Sequence, residues 1–163
     1  MKPMRRAVRA IIIRDDDLLV MRRNKFGQEY YTLVGGGIQV GETPEQALHR
    51  EVAEESSLRV LSERLVYIEE AGDPFGIQYI YLCEYAGHGQ PRLAADSEEM
   101  SINQLGQNIH EPLWMPLAML PKITLRSEAL KHALLDALKH GFPKQPEHIN
   151  PDKYHHAIHK QRS

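Results

Sequence analysis

The sequence predicts an α/β fold in one domain, on two observations. Segments rich in β-branched and aromatic residues, separated by Gly, Pro and Asp turn signals, read as strands. Among and after them lie two segments of helical period, the first opened by a Thr that can act as N-cap and the second ended by a Gly. The 163 residues, 42% hydrophobic and 26% charged, suffice for one sizeable core. The domain is placed at 1–141. Residues 142–163 form a Pro- and His-rich tail of low apolar content, either mobile or docked.

The elements follow in order. "VRAIIIRDDDLLVMRR" reads as two strands joined by an acidic turn at Asp15–Asp17, and "YYTLVGGG" as a third strand running into glycines. Residues 43–55 form the first helix. Thr43 is its N-cap, Pro44 fits its first position, and Gln46 has the spacing of a capping box. Ala47, Leu48 and Val52 give it a narrow apolar stripe. "LRVLSERLVYIEEAG" and "IQYIYLCEYA" are two more strands, with a turn at Gly72-Asp73-Pro74. From Gly87 to about Pro112 no period is evident, and the stretch reads as a long loop. "EPLWMPLAML" is a late strand or turn. "SEALKHALLDALKHG" is an amphipathic helix with Leu130, Leu134 and Leu138 on its apolar face and Gly141 at its end.

Composition narrows the partners. A net charge of −2 leaves no basic footprint for a nucleic-acid polymer or an anionic membrane. No apolar run approaches the roughly 18–20 residues that span a bilayer. The N-terminal "AIII" is too short for a signal-peptide core. Cys83 is the only cysteine, which suits a reducing cytoplasm, the expected location. It lies in an apolar strand pattern and reads as a buried structural thiol. His148, His155, His156 and His159 match no structural zinc spacing and read as a solvated tail.

The first helix carries an anomaly. Glu51, Glu54 and Glu55 stand near its C-terminus, where each acid is disfavoured by roughly 0.3–1 kcal/mol. At spacings of three and four residues they also crowd one another, and Arg50 offsets this only for Glu54. A divalent cation is the simple counter-charge.

The spacing around this helix is specific. Gly36 is followed after five residues by Glu42, and seven residues later comes "REVAEE", Arg50–Glu55, then Ser56, Ser57 and Leu58. This resembles the box of the Nudix (MutT-like) hydrolase family, with every charged position filled. Ser57 stands where the box has glycine; Val34 and Gln39 differ from neighbouring preferences. The box covers residues 36–58, and the order of the flanking elements fits the family over about residues 5–140.

The resemblance implies a Nudix-type α/β/α sandwich with a mixed β-sheet and the box loop-helix. It implies a pyrophosphohydrolase that cleaves a phosphoanhydride in a nucleoside diphosphate linked to another moiety. Mg²⁺, or Mn²⁺ in its place, would be the cofactor, because hard cations take oxygen ligands. Glu51, Glu54, Glu55 and the Gly35 carbonyl would be the metal set, with one of the glutamates instead serving as base. Arg50 would hold a box glutamate, and Glu42 would brace the loop against the helix. In several members an acid from a loop outside the box supplies a metal contact or the base. Asp96, Glu98 and Glu99 are the acids available, and the reading favours Glu98. The partner is then a nucleotide-like small molecule, and the family's habit of dimerising admits a homodimer. The alternative is a nucleotide-binding or scaffolding module without turnover, which would have less need of all three box glutamates.

The substrate stays open among ADP-ribose, ordinary or oxidised nucleoside triphosphates, dinucleoside polyphosphates and nucleotide sugars. Pro74, sixteen residues beyond Leu58, has a spacing reminiscent of an ADP-ribose-cleaving subgroup, but a plain Gly-Asp-Pro turn accounts for it better. Tyr30, Tyr31, Phe75 and Tyr79 could stack on a base, although such residues on strands are more often core.

Overall fold

The computed structural model describes residues 4–70, 72 and 76–150. Pro74, Phe75, His155, His156 and His159 lie outside the described residues. Among the described residues, two sheets and three α-helices build the domain. The larger sheet is mixed, in the order β5 (Val34–Gly37), β1 (Arg6–Ile11), β7 (Ile77–Ala86), β6 (Arg59–Glu70), β9 (Glu147–Ile149). β1 runs antiparallel to β5 and parallel to β7, while β6 runs antiparallel to β7 and parallel to β9. The smaller sheet is antiparallel. β3 (Asp17–Lys25) pairs with β2 (Ile13–Arg14), with β4 (Gln28–Thr32) and, along its full length, with β8 (Asn108–Pro116).

Strand alternation assigns the two faces of the large sheet. Val8 and Ala10 of β1 pack with Val34, Tyr81 and Cys83 against Ala47, Leu48 and Val52 of α1 (Pro44–Ser56). Ile11, Tyr67 and Ile80 pack on the other face against Leu130, Ala133 and Leu134 of α3 (Glu128–His140). The sheet is thus enclosed by a helix on each side, the expected α/β/α sandwich. Cys83 is buried and donates to the Tyr81 carbonyl, and burial pushes its thiol up to about 12, as befits a structural residue.

The elements depart from expectation in three places, and the tail takes one of its two expected forms. The strands divide between two sheets rather than one. The stretch 87–112 is not a continuous loop: it contains α2 (Glu98–Asn103) and the start of β8. The tail docks in part, because β9 adds to β6 and Ile149 is buried in the α3-side core. Leu138 is 40% exposed, and burial follows Ala129, Leu130, Ala133, Leu134 and Ala137 instead. A strict four-residue repeat drifts off a 3.6-residue turn, so its third member leaves the buried face. No helix among the described residues is long and apolar enough to cross a membrane.

Candidate active site

The site is built where the end of α1 passes the β5 edge of the large sheet. The start of α1 forms as its sequence requires. Thr43 Oγ1 accepts from Gln46 N at 3.1 Å, and Gln46 Oε1 accepts from Thr43 N at 3.0 Å. Its end has no basic residue in the last turn. The loop before α2 caps it instead: Ala94 N donates to Glu54 O at 2.7 Å and Arg92 N to Ser56 O at 3.0 Å. These bonds lay the loop along α1 and carry α2 towards the acids. Ser97 caps α2 by accepting from Met100 N. Asn103 at its end exchanges two bonds with the His110 backbone, at 2.7 and 2.6 Å, tying α2 to β8.

The result is a group of three carboxylates. One oxygen each of Glu51, Glu55 and Glu99 lie within 4.8 Å of one another. Glu51 and Glu55 are buried and Glu99 half-buried. Glu55 Oε2 accepts from Gly35 N at 2.9 Å. Burial pushes the Glu55 carboxyl up to about 8; Arg9 and the Gly35 N–H oppose this, and Glu51 and Glu99 add to it. Burial also raises Glu51, against the pull of Arg50. Glycines make the approach feasible. A Cβ on Gly36 would stand 2.6 Å from the Glu51 carboxyl carbon, and one on Gly35 would stand 1.9 Å from Val8 O.

Arg50 organises the other side. It donates from Nε to Glu42 Oε2 at 2.7 Å and from Nη2 to Glu42 Oε1 at 2.9 Å. It also donates to Glu51 Oε1 at 2.9 Å, Glu54 Oε2 at 3.3 Å and Gly37 O at 3.1 Å. All five guanidinium N–H groups are thereby engaged. Its proton is held more firmly than usual, chiefly by Glu42, whose carboxyl is lowered in return. Glu42 also accepts from Gln39 N at 2.8 Å, bracing the loop.

The sequence-based set is therefore only partly assembled in one place. Glu51 and Glu55 lie together, Gly35 touches Glu55, and Arg50 touches Glu51. Glu54 points outward to Arg50, its side chain 40% exposed, outside the three-carboxylate group. Glu99 rather than Glu98 is the α2 acid in that group. Glu98 is exposed on the neighbouring position, and its charge is felt by His110. Asp96 is exposed. The pattern Ser97-Glu98-Glu99, an N-cap followed by first-turn acids, was the signal for α2. Sequence reading also missed Arg9. It reaches across the α3-side face to Gln78 Oε1 at 3.1 Å and Leu33 O at 3.0 Å, within electrostatic reach of Glu55 and Glu51. Tyr30 is buried beneath the Arg126 guanidinium, 3.8 Å from its ring centroid, and Arg6 lies over Tyr79.

A family model of the NUDIX domain matches residues 3–138. The chain belongs to the NUDIX family. Over 75 residues this NUDIX chain is 40% identical to the NAD-capped RNA hydrolase NudC of Edwardsiella ictaluri, a match over 46% of the chain and 29% of that relative. The chain thus spans less than a third of the length of the curated relatives it matches. Its fold is similar to that of the MutT NUDIX hydrolase from Burkholderia pseudomallei, with a TM-score of 0.59 and 22% identity over 80% of this chain and 96% of the other. It is likewise similar to an ADP-ribose pyrophosphatase from Streptococcus suis, with a TM-score of 0.61 and 19% identity over 91% and 99% of the two chains.

Proposed function

We propose that this NUDIX protein is a divalent-cation-dependent pyrophosphohydrolase of nucleoside diphosphates linked to another group. The convergence of Glu51, Glu55 and Glu99 carries the proposal. Three carboxylates this close, two of them buried and raised in proton affinity, form an arrangement that a cation relieves. The all-oxygen donor set suits Mg²⁺ or Mn²⁺. Glu51, Glu55 and Glu99 would hold the ion, the Gly35 carbonyl adding a backbone donor, while Glu54 stays on Arg50. When bound, the ion would screen the pyrophosphate and make a water acidic enough to attack phosphorus.

The remaining tasks fall to the chain's own groups. Arg50 fixes Glu51 through Oε1. That contact holds the Glu51 carboxylate in place beside Glu55 and Glu99. Arg9 places a fixed cation beside the acids, where it can face the substrate's phosphates. We assign the loop-acid role to Glu99, in place of the Glu98 favoured from sequence.

The named activity of the NudC relatives concerns NAD-capped RNA. Dinucleotides, free or joined to RNA, therefore belong among the candidate substrates, and the exclusion of nucleic acid drawn from net charge is withdrawn. The test is product analysis on ADP-ribose, NAD, NAD-capped RNA, nucleoside triphosphates and nucleotide sugars, with Mg²⁺ and with excess chelator. Mg²⁺-dependent cleavage within a phosphoanhydride supports the proposal. Tight binding with no cleavage of any substrate would support the module without turnover.

A further inference from the structure

We propose that Glu69, held by Ser127 across the sheet from the carboxylate group, recognises the far end of the substrate by accepting a hydrogen bond from an exocyclic amino or carboxamide N–H. The inference rests on the hydrolase reading for the identity of the ligand, but its geometry is independent of that reading.

The strand register puts Glu69 on the α3 side of the sheet, the side that also carries Arg9. Gly35 is paired with Arg9, Arg9 with Ile80, and Ile80 with Tyr67. Two residues along the strands, Gly37 is paired with Ala7, Ala7 with Gln78, and Gln78 with Glu69. Paired residues share a face, so Arg9, Gln78 and Glu69 lie on one side. Three strand spacings separate β5 from β6, about 14 Å at ~4.8 Å each. That span suits an extended nucleotide with its pyrophosphate at the β5 edge. Arg9 lies between the ends: its charge is felt by Glu55 and by Glu69.

The state of the Glu69 carboxylate points to a ligand. The residue is only 3% exposed. Ser127 Oγ donates to Oε2, and no described residue donates to Oε1. Oε1 is not a sealed orphan either: among the described residues, Arg23 Nε is the buried side-chain polar atom with no partner. A brace for the α3 N-cap needs only an acceptor. Glutamine would serve there without the cost of burying a charge. A buried carboxylate with one oxygen to spare is suited to an N–H donor. It also discriminates. A keto oxygen or a carboxylate in the same place sets acceptor against acceptor, and sites that hydrogen-bond a specific group reject analogues lacking it strongly. Adenine or nicotinamide is then favoured over hypoxanthine or nicotinic acid.

Binding without turnover tests this. α,β-Methylene ADP and α,β-methylene IDP form one pair of probes, and nicotinamide mononucleotide and nicotinic acid mononucleotide the other. Each is titrated calorimetrically, with Mg²⁺, into the wild type, Glu69→Gln and Glu69→Asp, the folding of each variant being checked by its melting curve. The expected result is at least about a tenfold preference for the NH₂-bearing probe in one pair. That preference should fall to within about threefold in Glu69→Gln and shrink in Glu69→Asp. A wild-type ratio near one in both pairs, or an undiminished ratio in a folded variant, overturns the proposal. Failure to hydrolyse any substrate would count against the hydrolase reading alone and leave these ratios readable.

Discussion

Replacing Glu55 by Gln should stabilise the cation-free protein at alkaline pH while destroying its response to divalent cations. The folded-state carboxyl sits at about 8, against 4.5 for an unperturbed side chain. A raised acid keeps its proton longer in the folded chain than in the unfolded one. Its favourable contribution is therefore complete below about 4.5 and is lost as pH rises through about 8. Each pH unit in that window is worth about 1.4 kcal/mol, so holding Glu55 ionised in the folded state costs on the order of 5 kcal/mol. Water entry and adjustment of Glu51 and Glu99 reduce this to a net of about 2–3 kcal/mol. Glutamine keeps the acceptor for Gly35 N and carries no charge. For a chain of 163 residues, that corresponds to a melting temperature higher by roughly 5–10 °C at pH 8.5. At pH 5.5, about one unit into the window, the difference should fall to roughly a third of that. The assay is thermal unfolding in excess chelator from pH 5.5 to 8.5, repeated with Mg²⁺. Saturating Mg²⁺ should raise the wild-type melting temperature, more so at pH 8.5, and leave Glu55→Gln unchanged. A Glu55→Gln variant with the wild-type pH dependence in chelator would refute the reasoning, because the protonation of another group would then govern it.

Three further outcomes follow from the same geometry. Glu99→Gln should lower turnover at least about a hundredfold, whereas Glu98→Gln stays within about threefold of wild type; equal losses would return the loop-acid role to the whole turn of α2. Arg50→Lys should cut turnover by more than about tenfold and destabilise modestly, since one ammonium cannot reproduce the five directed bonds; steady-state kinetics alongside denaturant unfolding separates the two effects. Ser57→Gly should change stability by less than about 1 kcal/mol: it relieves the left-handed backbone at φ 62° but loses the Oγ bond to Arg92 O at 2.6 Å, and unchanged denaturant midpoints with unchanged turnover would bear this out.

The start of α1 and the shared face of Glu51 and Glu55 were legible because each depends on local spacing, whereas the roles of Arg50 and Glu42 came from the family resemblance alone, which did not pair them with each other. Thr43, Pro44 and Gln46 act within one turn, and Glu51 and Glu55 are four apart on one face. Glu54 was harder. Three residues from Glu51 lies close to the same face, and only the tertiary position of Arg50 and the burial on either side show that it turns outward. Glu99 could not be chosen over Glu98 without knowing that backbone bonds from Arg92 and Ala94 to the end of α1 aim the following turn. Backbone contacts of that kind leave no mark on residue type. β9 escaped notice for a similar reason. Three residues carry no periodicity, and their pairing with β6 is set by the rest of the sheet. Glu69 left a faint trace: period-two alternation puts it on the side of Tyr67, where an acid is out of place.

The most direct test of the account is a Mn²⁺ titration followed by electron paramagnetic resonance, at pH 8 and without nucleotide, on the wild type and on Glu51→Gln, Glu55→Gln, Glu99→Gln and Glu98→Gln. The account predicts saturable Mn²⁺ binding by the wild type and by Glu98→Gln, with affinity lowered at least about tenfold in each of the other three. Wild-type affinity in Glu55→Gln and Glu99→Gln would contradict it, since the ion would then lie elsewhere than among the carboxylates brought together by α1 and α2.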